Sequence, residues 1–148
     1  MGQVSAELGR NVYFDANIII YAVEGFAALA SQMNALLQAL DDGEIVAVTS
    51  ELTLAEVLVK PFKDANLSVQ QAYRAFLTPT PALQVIPLDK GILLEAAQLR
   101  ATTKLKLPDA MHLATANLCG CDAFLTNDDA FKSVATANVK ILSQISLI

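Results

Sequence analysis

A three-layer α/β/α fold around a short parallel sheet of about five strands is what this sequence predicts, from three observations. Short apolar runs, most of them β-branched, alternate with helix-periodic segments from one end of the chain to the other. The runs are too short and too continuously apolar for a sandwich or an antiparallel meander, and read as strands covered on both faces. The 148 residues, 54% hydrophobic and 17% charged, suffice for one core and leave little room for a second. A single domain over residues 1–148 is therefore expected.

Asn11 to Asp15 (NVYFD) reads as a buried strand ending on a carboxylate, and ANIIIYAVEG as a helix closed by Gly25. Leu29, Met33, Leu36, Leu37 and Leu40 then recur at helical spacing until Asp41, Asp42 and Gly43 mark the exit. Ile45 to Val48 is the second strand, followed by a helix from Thr49 that Pro61 ends or kinks. Ser68 caps a further helix running to Leu77. Leu83 to Leu88 is a third strand, stopped by Pro87 or lying at an edge. Helical spacing resumes after Asp89 through Ile92, Leu93, Ala96, Ala97 and Leu99, and Pro108 opens another helix ending near Gly120. Ala123 to Thr126 is the fourth strand, Asp128 to Lys132 at most one helical turn, and Val139 to Leu142 the fifth strand.

With 15 acids against 10 bases the net charge is −5, which argues against coating nucleic acid through bulk positive charge. It leaves room for a nuclease, whose metal site is itself acidic. Cys119 and Cys121 are the only cysteines, and their spacing gives neither a four-ligand zinc framework nor a C-x-x-C redox pair. The opening MGQVSAELGR lacks a basic segment followed by an apolar core, and carries Ala6 where a myristoylation signal has Ser or Thr. Apolar runs such as Ile18 to Ile20 are too short to span a bilayer. The expectation is a soluble cytoplasmic protein with no membrane partner.

Three acids sit where strand is expected to meet helix, Asp15 after NVYF, Asp109 after Pro108 and Asp128 after FLTN, and loops at the carboxyl ends of parallel strands line one crevice. Each also suits a helix start, where a carboxylate accepts backbone N–H bonds. Glu56 lies in the apolar helix LTLAEVLV on a face that is not plainly the solvent face, although a surface pair with Lys60 one turn later suits it equally. Capping explains an Asp at a helix start, but not a Glu in the same crevice. Clustered carboxylates repel unless a divalent cation is present, and oxygen-only ligands suit Mg²⁺ or Mn²⁺. Such an ion orients a water, lowers its pKa and stabilises charge on a phosphodiester.

Four segments, YFDANIIIY, TLAEVL, LPDAMHLATA and FLTNDDAF, taken in this order, resemble the PIN domain and, within it, the VapC-type ribonuclease toxins of toxin–antitoxin pairs. The resemblance spans about residues 11 to 143. It implies that Asp15, Glu56, Asp109 and Asp128 form the acidic metal-binding and catalytic set, supported by Asn17, Thr126 and Asn127. It further implies metal-dependent cleavage of RNA, inhibition by a small antitoxin protein, and a homodimer. One position departs from the pattern: many relatives carry an acid immediately before the Phe of the last motif, where this chain has Ala130, with Asp129 one place earlier. Asp129 is the candidate substitute, its side chain aimed in another direction, and the choice between one ion and two stays open.

His112 follows Asp109 by three residues, a spacing that suits a ligand pair or a general base. Between Met111 and Leu113 it reads better as a partly buried helix residue. Lys60, Lys63, Arg74, Arg100, Lys104 and Lys106 are candidates for an RNA path and equally ordinary helix-surface residues. The expected function is thus an Mg²⁺- or Mn²⁺-dependent endoribonuclease. The alternative, motivated by Ala130, is a non-catalytic module that binds RNA or a protein partner without cutting. An aspartyl-phosphate enzyme is disfavoured by Asn17, which stands where such enzymes place a second Asp.

Overall fold

The computed structural model describes residues 2–134 and 138–148. Its order is α1 (Gln3–Leu8), β1 (Asn11–Phe14), α2 (Ala16–Glu24), α3 (Ala30–Asp41), β2 (Val46–Ser50), α4 (Glu51–Lys63), α5 (Leu67–Phe76), β3 (Leu83–Ile86), α6 (Lys90–Thr102), α7 (Leu107–Leu118), β4 (Ala123–Thr126) and β5 (Val139–Ile141). The five strands form one parallel sheet in the order β3-β2-β1-β4-β5. β1 is central, with Val12 opposite both Ala47 and Ala123.

Alternation along the strands creates the three layers. Val12, Phe14, Ala47, Leu83, Ala123 and Leu125 point into a core built with α1 to α5. Tyr13, Val48 and Phe124 point to the opposite face, where α6, α7 and the 3₁₀ turn Asp129–Ser133 cover them. Both faces of the sheet are covered, so apolar residues dominate the strands.

Chain order runs outward from β1 to β2 and β3, then returns to the other side of β1 for β4 and β5. The reversal opens a crevice between β1 and β4 at the carboxyl ends of the strands, the usual location of a ligand site in such sheets. Asp15 directly follows β1, and Asp128 lies two residues after β4.

Several local expectations are revised. Gln3–Leu8 is a helix that burial of Val4 and Leu8, one turn apart, holds against the core. β2 continues through Thr49 and Ser50, which pair with Val85 and Ile86, so Ser50 rather than an earlier residue caps α4. Pro61 does not stop α4, which runs to Lys63; Ala65 at φ 50 then ends it, with the Asn66 N–H bonded to Pro61 O at 2.9 Å. Asn66, not Ser68, caps α5 by accepting from Val69 N at 3.2 Å.

Candidate active site

Asp15, Asn17, Glu56, Asp109, His112 and Asp128 line one cleft of about 210 Å³ at the carboxyl edge of the sheet. Each arrives there for a distinct structural reason. Asp15 caps α2, its Oδ1 accepting from Ile18 N at 3.1 Å, so the turn out of β1 aims the carboxylate at the crevice. Its Oδ2 accepts from the hydroxyl of Thr126, the fully buried last residue of β4. The Thr126 hydroxyl oxygen itself accepts the Asp128 N–H at 3.0 Å, and Asp128 Oδ1 in turn accepts from Ala130 N at 2.9 Å. Thr126 thereby sets the relative placement of two of the acids.

Glu56 is brought in by the start of α4. Thr53 Oγ1 lies 2.8 Å from Thr49 Oγ1, whose hydroxyl donates to Phe14 O at 2.8 Å. This pins one side of α4 over the end of β1, and Glu56 lies three residues further along that side. The surface pair with Lys60 does not form: Lys60 Nζ bonds Asp64 Oδ2 at 2.9 Å instead. Glu56 turns the other way, its Oε1 2.5 Å from His112 Nε2. It also borders a neighbouring groove of about 260 Å³, walled by Ile20, Val57, Pro61, Val69 and Tyr73.

Asp109 reaches the cleft by a route different from the one expected. It follows no strand. α7 comes after α6 and runs antiparallel to β4, so its first turn sits beside the strands' carboxyl ends. Lys106 occupies the cap position, and Asp109 stands in the first turn, where the helix dipole favours a negative charge.

The cleft is electrostatically loaded. Burial raises Asp15 to about 6, against the opposing hydrogen bonds from Thr126 and Ile18. Asp109 is raised by burial and then by the nearby charge of Asp128. Burial also lifts Tyr13 well above the usual phenol range, with the charge of Asp15 adding to the effect.

Of the supporting residues, Asn17 lines the cleft and Thr126 bonds Asp15. Two others are not brought in. Asn127 directs its side chain to Tyr21 and to the backbone N–H of Ser143 at 3.1 Å. Asp129 pairs with Lys132 at 3.0 Å on the surface. His112, discounted as a helix residue, is indeed buried, at 2% exposure, but with both ring nitrogens engaged at the cleft wall. Its i+3 spacing from Asp109 was the available signal.

A PIN domain family model matches residues 12–137. The chain belongs to the PIN domain family. Among solved structures, this PIN domain is similar to a toxin-antitoxin complex from Klebsiella pneumoniae, at 28% identity over 90% of this chain and 99% of that one, with a TM-score of 0.67. It shares its fold with VapBC2 from Rickettsia felis bound to a promoter DNA fragment, at 18% identity over 88% and 98% of the two chains, TM-score 0.68. It likewise shares the fold of the sarcin-ricin loop cleaving toxin VapC20 from Mycobacterium tuberculosis, at 14% identity over 87% and 98%, TM-score 0.65. No curated protein sequence matches the chain.

Among the described residues, no three His, Cys, Asp or Glu side chains form a ready-made metal cage. The four acids share a cleft without closing on one point, as expected of carboxylates that repel. The donor set nevertheless fits a hard divalent cation. It is oxygen-rich, and each carboxylate keeps lone pairs beyond its hydrogen bonds. Bound positive charge would also relieve the repulsion that raises Asp109. Among the described residues, no single helix is long and apolar enough to cross a membrane.

Proposed function

We propose that this PIN domain, folded as one domain, is a metal-dependent endoribonuclease acting as the toxin of a toxin–antitoxin pair. The observation carrying the proposal is that Asp15, Glu56, Asp109 and Asp128, from four distant stretches of chain, open into one cleft at the sheet's switch point. The Klebsiella relative, itself a toxin-antitoxin complex, supports the toxin assignment and a small antitoxin as partner. A cytoplasmic setting and a homodimer accompany this reading.

Asp15, Glu56, Asp109 and Asp128 are the residues that would hold Mg²⁺ or Mn²⁺. When bound, the ion supplies a lowered water pKa and charge stabilisation at the phosphodiester. The chain's own part is placement. Thr126 orients Asp15 and tethers the Asp128 backbone. Asn17 offers an amide at the cleft mouth for a phosphate or ribose oxygen. Lys106, beside Asp109 at the start of α7, provides local positive charge for the RNA backbone in an otherwise acidic chain.

A second reading, a non-catalytic RNA- or protein-binding module, is favoured by Ala130 and by the engagement of Asp129 with Lys132. The two readings separate in one assay of the purified chain on RNA, with Mn²⁺ and with EDTA. Cleavage that needs the ion and is lost in Asp109→Asn supports the nuclease. RNA binding without cleavage in either condition supports the module.

A further inference from the structure

Glu56 is the acid that α4 brings to the cleft. It is a long side chain on α4, 33% exposed, and among the described residues its hydrogen-bond partner is the imidazole of His112. His112 is its opposite, 2% exposed and braced from behind. Its Nδ1 lies 2.7 Å from the Tyr13 hydroxyl, and its ring meets the Tyr13 ring edge-on at 5.8 Å. Tyr13 stacks on Phe124 at 5.1 Å, and Phe124 packs against Phe131 at 4.8 Å. A row of packed aromatic rings thus runs from Phe131 through Phe124 and Tyr13 to His112 and the Glu56 carboxylate.

We propose that His112 is the positioning residue for Glu56, and that Tyr13 fixes the ring tautomer that does it. A carboxylate only accepts, so Nε2 carries the proton and donates to Glu56 Oε1. Nδ1 of the neutral ring then accepts, and the Tyr13 O–H is its donor. The hydrogen bond crosses the end of the sheet and ties α4, packed on one face, to α7, packed on the other. A leucine would fill the same interior space without needing two polar partners. The arrangement matches the general rule that groups behind a metal-binding side chain orient it and tune its affinity. The inference rests on the assignment of Glu56 to the metal site.

Two measurements test it independently of cleavage. His112 is the sole histidine of the chain, so imidazole ¹⁵N spectra report one ring. Under mildly alkaline conditions the wild type is expected to show the Nε2–H tautomer, with a downfield ring proton that moves upfield in Glu56→Ala. An Nδ1–H tautomer, or the mixture of a free imidazole, overturns the brace. In Mn²⁺ titration calorimetry, His112→Leu is expected to weaken affinity about tenfold. His112→Gln, whose amide can still donate, restores most of it, and His112→Leu has no further effect in a Glu56→Gln background.

A folded His112→Leu that takes up Mn²⁺ like the wild type contradicts the proposal. Should that variant fail to fold, Tyr13→Phe, which removes only the hydroxyl, serves in its place. It is expected to lose tautomer purity and to bind Mn²⁺ several-fold more weakly, and unchanged spectra and affinity count against the proposal. If the wild type takes up no Mn²⁺, the metal-site assignment fails, and the tautomer measurement still decides the brace.

Discussion

The buried hydroxyl of Thr126 donates to Asp15 Oδ2, so the carboxylate that ends β1 is held by the last residue of β4 across the switch point. This bond opposes the burial that raises Asp15. Thr126→Val keeps the shape and removes the donor, leaving a buried carboxylate oxygen and the Asp128 N–H short of a partner. Stability is expected to fall by about 1–3 kcal/mol. Thr126→Ser, which loses only a methyl, is expected to cost about 1 kcal/mol or less. Urea unfolding of the two variants checks the order, and equal losses would show that the methyl, not the hydroxyl, matters.

Asp15 also carries a pH signature. Its carboxyl titrates from 3.8 in the unfolded chain to about 6 in the fold. Between those values the native state keeps a proton that the unfolded state has lost. Its contribution to stability is therefore complete below the unfolded value and is lost as pH rises through the folded one. A rise from 3.8 to about 6 amounts to about 3 kcal/mol. In EDTA, Asp15→Asn is expected to gain about that much on the wild type between roughly pH 4 and pH 7. Denaturant midpoints at the two pH values measure it, and a variant whose difference from the wild type does not move with pH refutes the assignment.

Lys106 tests the local-charge argument for RNA. It stands at the start of α7 beside Asp109, whereas Lys132 is tied to Asp129. Lys106→Ala is expected to weaken RNA binding across sequences and to reduce the salt slope by about 1. Lys132→Ala leaves both unchanged. Fluorescence anisotropy over a salt series, with Asp109→Asn as a non-cleaving background, reads the result. Equal slopes for the two lysine variants would place the RNA elsewhere.

How far the sequence foretold this site depends on the range of the interaction involved. Asp15 and Asp128 were legible because each follows an apolar strand run and begins a turn, both local features. The three layers were legible from short, mostly apolar strand runs alternating with helix-periodic segments. Asp109 was expected at a strand end, yet it enters from the antiparallel start of α7, because chain direction between layers is a topological fact that spacing does not encode. Glu56 had two local solutions, and the choice between Lys60 and His112 was made by packing between residues 56 positions apart. Asn127 and Asp129 neighbour the site in sequence and were grouped with it. The turn after β4 points them instead toward Ser143 and Lys132. The helix Gln3–Leu8 escaped notice because six residues with only two buried apolar positions carry too little periodicity.

The central claim is that the four-carboxylate cleft cuts RNA with a divalent cation. Its most direct test is cleavage by the purified chain in Mn²⁺, compared with Asp109→Asn prepared identically and shown to be folded. The account predicts cleavage abolished by EDTA and reduced about a hundredfold or more in the variant, corresponding to roughly 3 kcal/mol of lost transition-state stabilisation. Cleavage by folded Asp109→Asn at the wild-type rate would contradict it.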